Sequence, residues 1–487
     1  MKPIEYEKIL RKIASELKIN ERGIDFDQFK KRLNLKYKDN PDYGVILDLD
    51  RLDLPSLPPS LELLTDLGRL DIHHNRLTNL PESIGNFSKL QWLHAHENQL
   101  TALPENLGNL TNLSSLWIQK NNLASLPKSI GGLVNLSQFY FYKNEITSLP
   151  DSFSNLVNLR EVQCYNNKLT ALPENIGNLS KLWKLSITDN RLTSLPESIG
   201  NLKLDNHNLT GNNITSLPAA LNKLPELTLH LGSNNLTSIP ENLCNLTNLK
   251  SLDLNKNGLS SLPECMGNLA KLEMLDISRN KLGFLPESMC KLPVFADLNL
   301  KENAFTSLPE NLTKMTNLIS LNLGGNKLTT LPESIGNLSN LARLDLSGNE
   351  LVSLPESIGK LSKLEELDIE HNQLQSLPDC ISDLPNLKKL NIKYNERLKT
   401  IPEAIENKAK SGRLTLEKDN YHACPNCNKI ALERDMYYCE ECKMYYCRDC
   451  DRIAESPYAD SYASYERVLV YCPKGHYQGT DYRGLSQ

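Results

Sequence analysis

Residues 341–361 read Leu-Ala-Arg-Leu-Asp-Leu-Ser-Gly-Asn-Glu-Leu-Val-Ser-Leu-Pro-Glu-Ser-Ile-Gly-Lys-Leu, and close variants of this phrase fill the middle of the chain. Its asparagine recurs at positions 75, 98, 121, 144, 167, 190, 212, 234, 257, 280, 303, 326, 349, 372 and 395. With a degenerate first copy that carries Leu52 in the asparagine place, thirteen spacings are 23 residues and two are 22. That makes about 16 repeats over residues 45–402. A fixed period held this long sets the architecture before any other feature is weighed.

Each part of the phrase has a physical job. The Leu-x-Leu alternation has period two, so each repeat lays down one short strand with its leucines inward. An asparagine at a fixed, buried place can bond backbone groups of neighbouring turns that no strand ladder reaches. The proline suits the first position of a short helical turn, and the glycine suits its stop, where a left-handed conformation is tolerated. One repeat cannot bury its leucines alone, whereas stacked repeats share a continuous core. At about 4.8 Å per strand, the inner face is on the order of 70 Å long. The expected fold is therefore an α/β class solenoid of stacked repeats with a parallel sheet on its inner side.

The phrase resembles the 23-residue leucine-rich repeats of Ras-pathway scaffolds, Scribble-type proteins and plant Ras-group proteins, over about three-quarters of the chain. That resemblance implies a curved solenoid whose concave sheet binds other proteins. Counting back from each asparagine, positions −6, −4, −2 and −1 project onto that face. In most repeats they are small or polar, as at Ser186, Thr188, Asn208, Gly232, Asn322 and Gly324. From the second repeat to the sixth they become His73, His74, Trp92, His94, His96, Trp117, Tyr140, Tyr142, Gln163 and Tyr165. Exposed aromatics of this size are the residue types that dominate interface hot spots, so this stretch is the expected partner-binding face. A metal site on His73 and His96, one strand apart, has no convincing carboxylate pair to complete it. A smaller charged cluster, Glu366, Asp368, Glu370 and Lys393, reads equally well as a second contact or a solvated face.

Irregularities are few. The two 22-residue copies end at Asn212 and Asn234, and the first brings His207 to an inward leucine place, which predicts a local change of curvature. Five of the twelve cysteines, Cys164, Cys244, Cys265, Cys290 and Cys380, are scattered singly through the repeats. All five read as small structural hydrophobes. Cys244 and Cys290 both replace the repeat glycine, and at two repeats apart they are too distant for a disulfide.

The remaining seven cysteines crowd the carboxyl end as Cys424-x2-Cys427-x11-Cys439-x2-Cys442-x4-Cys447-x2-Cys450, followed by Cys472-x3-His476. Eight ligands in four pairs satisfy two tetrahedral zinc ions, and each short pair lets two ligands reach one metal from a single tight turn. The spacing resembles cross-braced ZZ, RING-like and FYVE-like fingers. The phrase from Tyr438 to Asp451 is most similar to the RING-like module of a core TFIIH subunit. Cross-bracing in those families implies Cys424, Cys427, Cys447 and Cys450 on one zinc, with Cys439, Cys442, Cys472 and His476 on the other. FYVE lipid binding needs a basic, histidine-rich stretch where this chain has Glu433 to Tyr438.

The organisation follows as a helical cap over residues 1–44, the solenoid over 45–402, a cap or linker over 403–420 and the zinc module over 421–487. Ile9, Leu10, Ile13 and Leu17 stripe one helix of the first cap, and Phe26, Phe29 and Leu33 suggest a second. Lys30, Lys31 and Arg32 beside them read as a solvated helix face. A net charge of −5 leaves no electrostatic footprint for nucleic acid, and no apolar run is long enough to span a membrane. The charged amino end lacks the apolar stretch of a signal peptide, so a cytoplasmic monomer is expected, with export that needs no such peptide left open.

The expected function is a non-enzymatic scaffold that binds a protein on the concave face, with the zinc module as cap or second docking site. The alternative is an E3 ubiquitin ligase or secreted effector in which the repeats select substrate and the finger recruits a conjugating enzyme. Asn426 precedes the second ligand, where ligase-type RINGs carry an apolar residue, and no tryptophan lies beyond Trp183. Cys447-Arg448-Asp449 resembles the Cys-x-Asp of bacterial leucine-rich-repeat ligases, but their large helical domain has no counterpart here. A sulfur held by zinc is also a poor nucleophile. No P-loop, His-Glu-x-x-His or Gly-x-Ser-x-Gly motif is present.

Overall fold

The computed structural model describes residues 3–34, 45–204, 206–224 and 227–419, together with the backbone of seven strands between Tyr421 and Gly484. Helix α1 (Pro3–Glu16) opens the chain and lays Leu10 and Ile13 against the first repeat, fully buried. Glu16 ties it there, accepting from the backbone N–H of Ser60 at 3.0 Å and from its hydroxyl at 2.6 Å. Asp25 caps the short α2 (Phe26–Lys30) by accepting from the Gln28 N–H at 2.8 Å. Leu33 does not continue that helix. It starts β1 (Leu33–Asn34), which runs antiparallel to β2 (Val45–Asp48) and covers the free edge of the sheet.

From β2 onward the strands run parallel, one per repeat: β3 (Leu67–Asp71), β4 (Trp92–His94), β5 (Ser115–Trp117), β6 (Gln138–Tyr140), β7 (Glu161–Gln163) and β8 (Lys184–Ser186). A second parallel sheet of ten strands follows, from His207–Asn208 to Thr415–Glu417. The last repeat is covered by α3 (Glu403–Lys410), which buries Ile405, and Thr415–Glu417 adds one strand beyond it. The gap between the sheets falls on the first 22-residue copy. There His207 sits in register with Leu229, buried in a leucine place. The turns stay bonded across the gap, with Asp189 N–H donating to Thr210 O at 2.9 Å.

Outside the sheet, each repeat returns through a short 3-10 turn. Proline stands just before that turn and not in its first position: Pro81 is extended, with φ −69 and ψ 150, and the turn is Glu82–Asn86. Glycine is required there for a different reason from the one its sequence position suggests. None of the turn glycines Gly85, Gly108 and Gly131 is left-handed, but a Cβ at Gly85 would lie 2.1 Å from the carbonyl oxygen of Asn106 in the next turn. Neighbouring turns simply approach too closely for a side chain.

The left-handed conformation sits elsewhere, at the residue before each ladder asparagine. His74, Glu97, Lys120, Lys143, Asn166 and Asp189 all have φ between 52 and 56. Each such residue costs roughly 1–2 kcal/mol of strain. The following asparagine holds it. Asn349 donates to Leu323 O at 3.0 Å in the previous repeat and to Leu346 O at 2.9 Å in its own, and accepts from Leu328 N–H at 3.0 Å. The same three-way bonding recurs at Asn75, Asn121, Asn190, Asn303 and Asn372.

The reading of all five scattered cysteines as hydrophobes needs one correction. Cys244 and Cys265 form a disulfide, with Cα atoms 5.6 Å apart and a sequence separation of 21. Cys244 occupies the glycine place, and 21 residues on is the position that a Cβ there confronts, as Asn106 confronts Gly85. The bond turns a steric conflict into a link. Closing a loop of this length stabilises by about 3 kcal/mol in the chain-entropy account. Cys164 is buried in the core, and Cys290 and Cys380 are free thiols.

Replacing Asn349 with alanine strands two buried carbonyls and one N–H at about 1 kcal/mol or more each. The expected loss is about 3 kcal/mol in urea unfolding, with hydrogen exchange accelerated in the repeats on either side. A loss under about 1 kcal/mol would mean that the ladder is not what holds the turns.

Candidate functional site

The parallel register turns sequence offsets of 23 into neighbours across the sheet, so the residues of repeats two to six stand in columns. In one column Asp71, His94, Trp117 and Tyr140 follow each other on β3 to β6. The His94 ring stacks on Trp117 with centroids 4.1 Å apart, and Trp117 stacks on Tyr140 at 5.3 Å. Carboxylates close both ends. His94 Nδ1 lies 2.7 Å from Asp71 Oδ1, and the Tyr140 hydroxyl donates to Glu161 Oε2 at 2.8 Å. Burial opposes charge on Asp71, yet bonds from His94 and Arg69 hold its carboxyl below the usual range. Burial and the Glu161 bond push the Tyr140 phenol up, so it stays a donor.

The next column along each strand holds His73 and His96, stacked at 4.4 Å, and then Tyr142 and Tyr165, stacked at 4.4 Å. Gln119 separates the two pairs by register and is buried. Trp92 stands in a separate column two residues earlier on its strand, in register with Arg69 and Ser115. The left-handed turn swings His74 into the same group, with its ring 5.1 Å from His73 and 5.7 Å from His96. Burial pushes the His96 imidazole down to about 4, helped by His73 and His94, and burial also lowers His73.

This assembly departs from the sequence expectation in one respect. His73, Trp92, His96, Trp117, Tyr140, Tyr142 and Tyr165 are half-buried and His94 is buried, because the rings cover one another. The most exposed tryptophan is Trp183, 49% accessible, outside the cluster. Sequence reasoning also missed the acids that end each column. Asp50, Asp71 and Glu97 each lie 23 residues from the histidine they face, and that offset was the available signal.

Towards the other end, Asp368 and Glu370 share one partner, Asn391, whose amide donates to both at 3.0 and 2.8 Å. Lys393 does not join them. It pairs with Glu417 at 2.9 Å, and Glu366 lies one strand from Lys389. Burial raises the Asp368 carboxyl, and the charges of Glu370 and Asp345 add to it.

Of the zinc-ligand set, Cys424, Cys427, Cys442, Cys450, Cys472 and His476 lie outside the described residues. Cys439 and Cys447 end two strands, Met436–Cys439 and Met444–Cys447, whose backbones pair antiparallel with Met436 opposite Cys447.

Comparison with known proteins agrees on the repeats. Residues 339–398 match a family profile described as Leucine rich repeat, residues 229–324 one described as Leucine-rich repeat region, and residues 317–338 one described as Leucine Rich Repeat. A search of curated protein sequences finds no match. Among solved structures, a leucine-rich repeat protein of Leptospira interrogans is similar at 34% identity and a TM-score of 0.64, over 79% of this chain and 98% of that one. A plant peptide hormone receptor, RGFR1 in complex with RGF2, is similar at 31% identity and a TM-score of 0.54, over 74% of this chain and 60% of that one. The Toll–Spätzle complex of Drosophila shares the fold at 22% identity and a TM-score of 0.55, over 72% of this chain and 51% of that one.

Asp368 gives a test of the acidic cluster. Its raised folded-state value means the native chain binds more protons than the unfolded one at mildly acid pH, so its charge works against the fold as pH rises. Asp368→Asn should raise the melting temperature at pH 7 while keeping the bond from Glu370 N–H, and the gain should shrink by pH 4. A gain that is equal at both pH values would assign the effect to something other than this charge.

Proposed function

The chain belongs to the leucine-rich repeat proteins, and from that premise we propose that it is a non-enzymatic scaffold whose concave face, across repeats two to six, binds a protein partner. Repeats of this kind generally mediate protein–protein interaction, and the plant receptor that this chain resembles holds RGF2. One observation carries the reading. On a concave face otherwise lined by residues such as Ser186, Thr188, Asn322 and Gly324, three rings in succession stack through His94, Trp117 and Tyr140, with Tyr142 stacked on Tyr165 in the neighbouring column. Rings already stacked lose little freedom on binding, and large amphipathic rings are what hot spots are made of. The bound His94–Asp71 and Tyr140–Glu161 pairs hold the columns in place before any partner arrives.

The same proposal includes a zinc module at the carboxyl end, as cap or second docking site. Its support is the spacing of Cys424, Cys427, Cys439, Cys442, Cys447, Cys450, Cys472 and His476. Zinc there would supply folding free energy to a segment too small to build much core. We assign no ubiquitin transfer, since Asn426 stands in the groove position and Cys447 is taken as a ligand. Disulfides persist in oxidising compartments and are kept reduced in the cytosol, so the Cys244–Cys265 bond favours the exported alternative over a cytoplasmic one.

The partner face is tested by substitution. Trp92→Ala, Trp117→Ala and Tyr142→Ala should leave the circular dichroism spectrum unchanged and weaken partner capture by ~2 kcal/mol or more at each true hot spot. Undiminished capture by all three variants would move the interface elsewhere. For the zinc module, native mass spectrometry should show the Cys424→Ser, Cys439→Ser double variant of the full chain holding two zinc ions fewer than the unaltered chain. Retention of both would remove these cysteines from the metal.

A further inference from the structure

The three-histidine group formed by His73, His74 and His96 has a geometry that packing alone does not account for. One ring nitrogen from each lies within 4.8 Å of the other two. Nδ1 of all three rings is buried and without a hydrogen-bond partner. A buried polar atom left unpaired costs roughly 1–3 kcal/mol. Stacking of His73 on His96 explains the ring planes but leaves the three buried Nδ1 atoms without partners. The other side of two of these rings is occupied by acids. His73 Nε2 faces Asp50 at 3.5 Å, and His74 Nε2 faces Glu97 at 2.5 Å. An imidazole that offers one nitrogen while a carboxylate engages the other is the usual outer support of a metal-ligating histidine.

We propose that His73, His74 and His96 form a binding site for a divalent transition-metal ion, zinc first among them, on the concave face near its amino end. Imidazole ligands suit zinc, copper and nickel, and the absence of thiolates separates this site from the cysteine module. Zinc–nitrogen bonds of about 2.0–2.1 Å in tetrahedral array put ligand nitrogens about 3.4 Å apart, so the nitrogen spacings, all within 4.8 Å, close by about 1.4 Å at most. The acids Asp50, Asp71 and Glu97 surround the group and favour a cation. His73 and His74 keep 22% and 33% of their side-chain surface open, which leaves an entry path from the groove. Three protein ligands leave a tetrahedral ion one further position, for water or a group brought by a bound molecule.

The site is built by the repeat itself. His73 and His96 are equivalent places one strand apart, and His74 reaches them because it occupies the left-handed position with φ 52. That makes His74→Asn the cleanest probe, since asparagine tolerates this conformation better than other side chains and offers no imidazole. Full-length protein and variants are stripped with chelator and dialysed against zinc chloride, and bound zinc is counted by elemental mass spectrometry. His74→Asn and His96→Ala should each hold one zinc fewer than the unaltered chain, whatever the count at the cysteines. Glu97→Gln should keep the stoichiometry but weaken the affinity about 10- to 100-fold. Loading the same proteins with cobalt separates the sources, because only the cysteine site gives thiolate charge-transfer bands and only the histidine site vanishes in His74→Asn. Equal zinc content and affinity in the unaltered chain and in His74→Asn, with its fold confirmed by circular dichroism, would overturn the proposal.

Discussion

Everything in this solenoid depends on an amide side chain that can donate twice and accept once. A parallel sheet bonds strand to strand, but each strand here is about three residues long, and the chain must then turn away from it. At that turn two carbonyls and one N–H would be left in a dry interior, which is among the costlier defects a fold can carry. Asparagine is short enough to stay inside the turn and carries both kinds of group. Its bonds to the strand and turn of the previous repeat and to its own strand mean that no repeat is satisfied without its neighbours. That mutual dependence, more than the leucines, sets the period, because leucine packing alone would tolerate a slipped register.

The price of this device is a left-handed residue in every turn, and it is accepted at His74, Glu97, Lys120 and their equivalents without recourse to glycine until Gly211. Strain of that kind persists only where surrounding bonds over-determine the backbone. It also redirects a side chain. In an ordinary strand the residues at −2 and −1 would point to opposite faces, yet here His73 and His74 meet on one. Chemistry that needs three groups on a flat sheet is therefore available in a repeat that offers only alternate positions.

The repeat, its period, the place of the strands and the columns of aromatic residues were legible from residues alone, because a fixed spacing converts directly into a register. What escaped was whatever depends on how two turns meet. Glycine at position 85 was legible as a special residue but not as one excluded by Asn106, since that contact lies across repeats on the outer side. The same blind spot hid the Cys244–Cys265 bond, because comparing cysteines at equivalent places finds Cys290 and never the partner 21 residues on. Leu33 carried the spacing of a helix yet joined a strand, where an uncovered sheet edge outweighs local pattern. The aromatics were read as exposed because a sequence shows which face a ring is on and not what lies beside it.

The close approach of the outer turns has a consequence for how such a surface diversifies. Strand spacing on the inner side is fixed by hydrogen bonds, so the curvature of the solenoid is set by how tightly the outer side stacks. Gly85, Gly108, Gly131, Gly177 and Gly200 allow the tightest stacking, Gly267, Gly336 and Gly359 continue it further on, and Ser154, Cys244, Cys290 and Thr313 interrupt the series. The radius of the groove is thus written in residues that a docked molecule never touches. A lineage of such proteins can reshape its groove to a new ligand by point changes on the far side, leaving the contact residues free to tune chemistry alone.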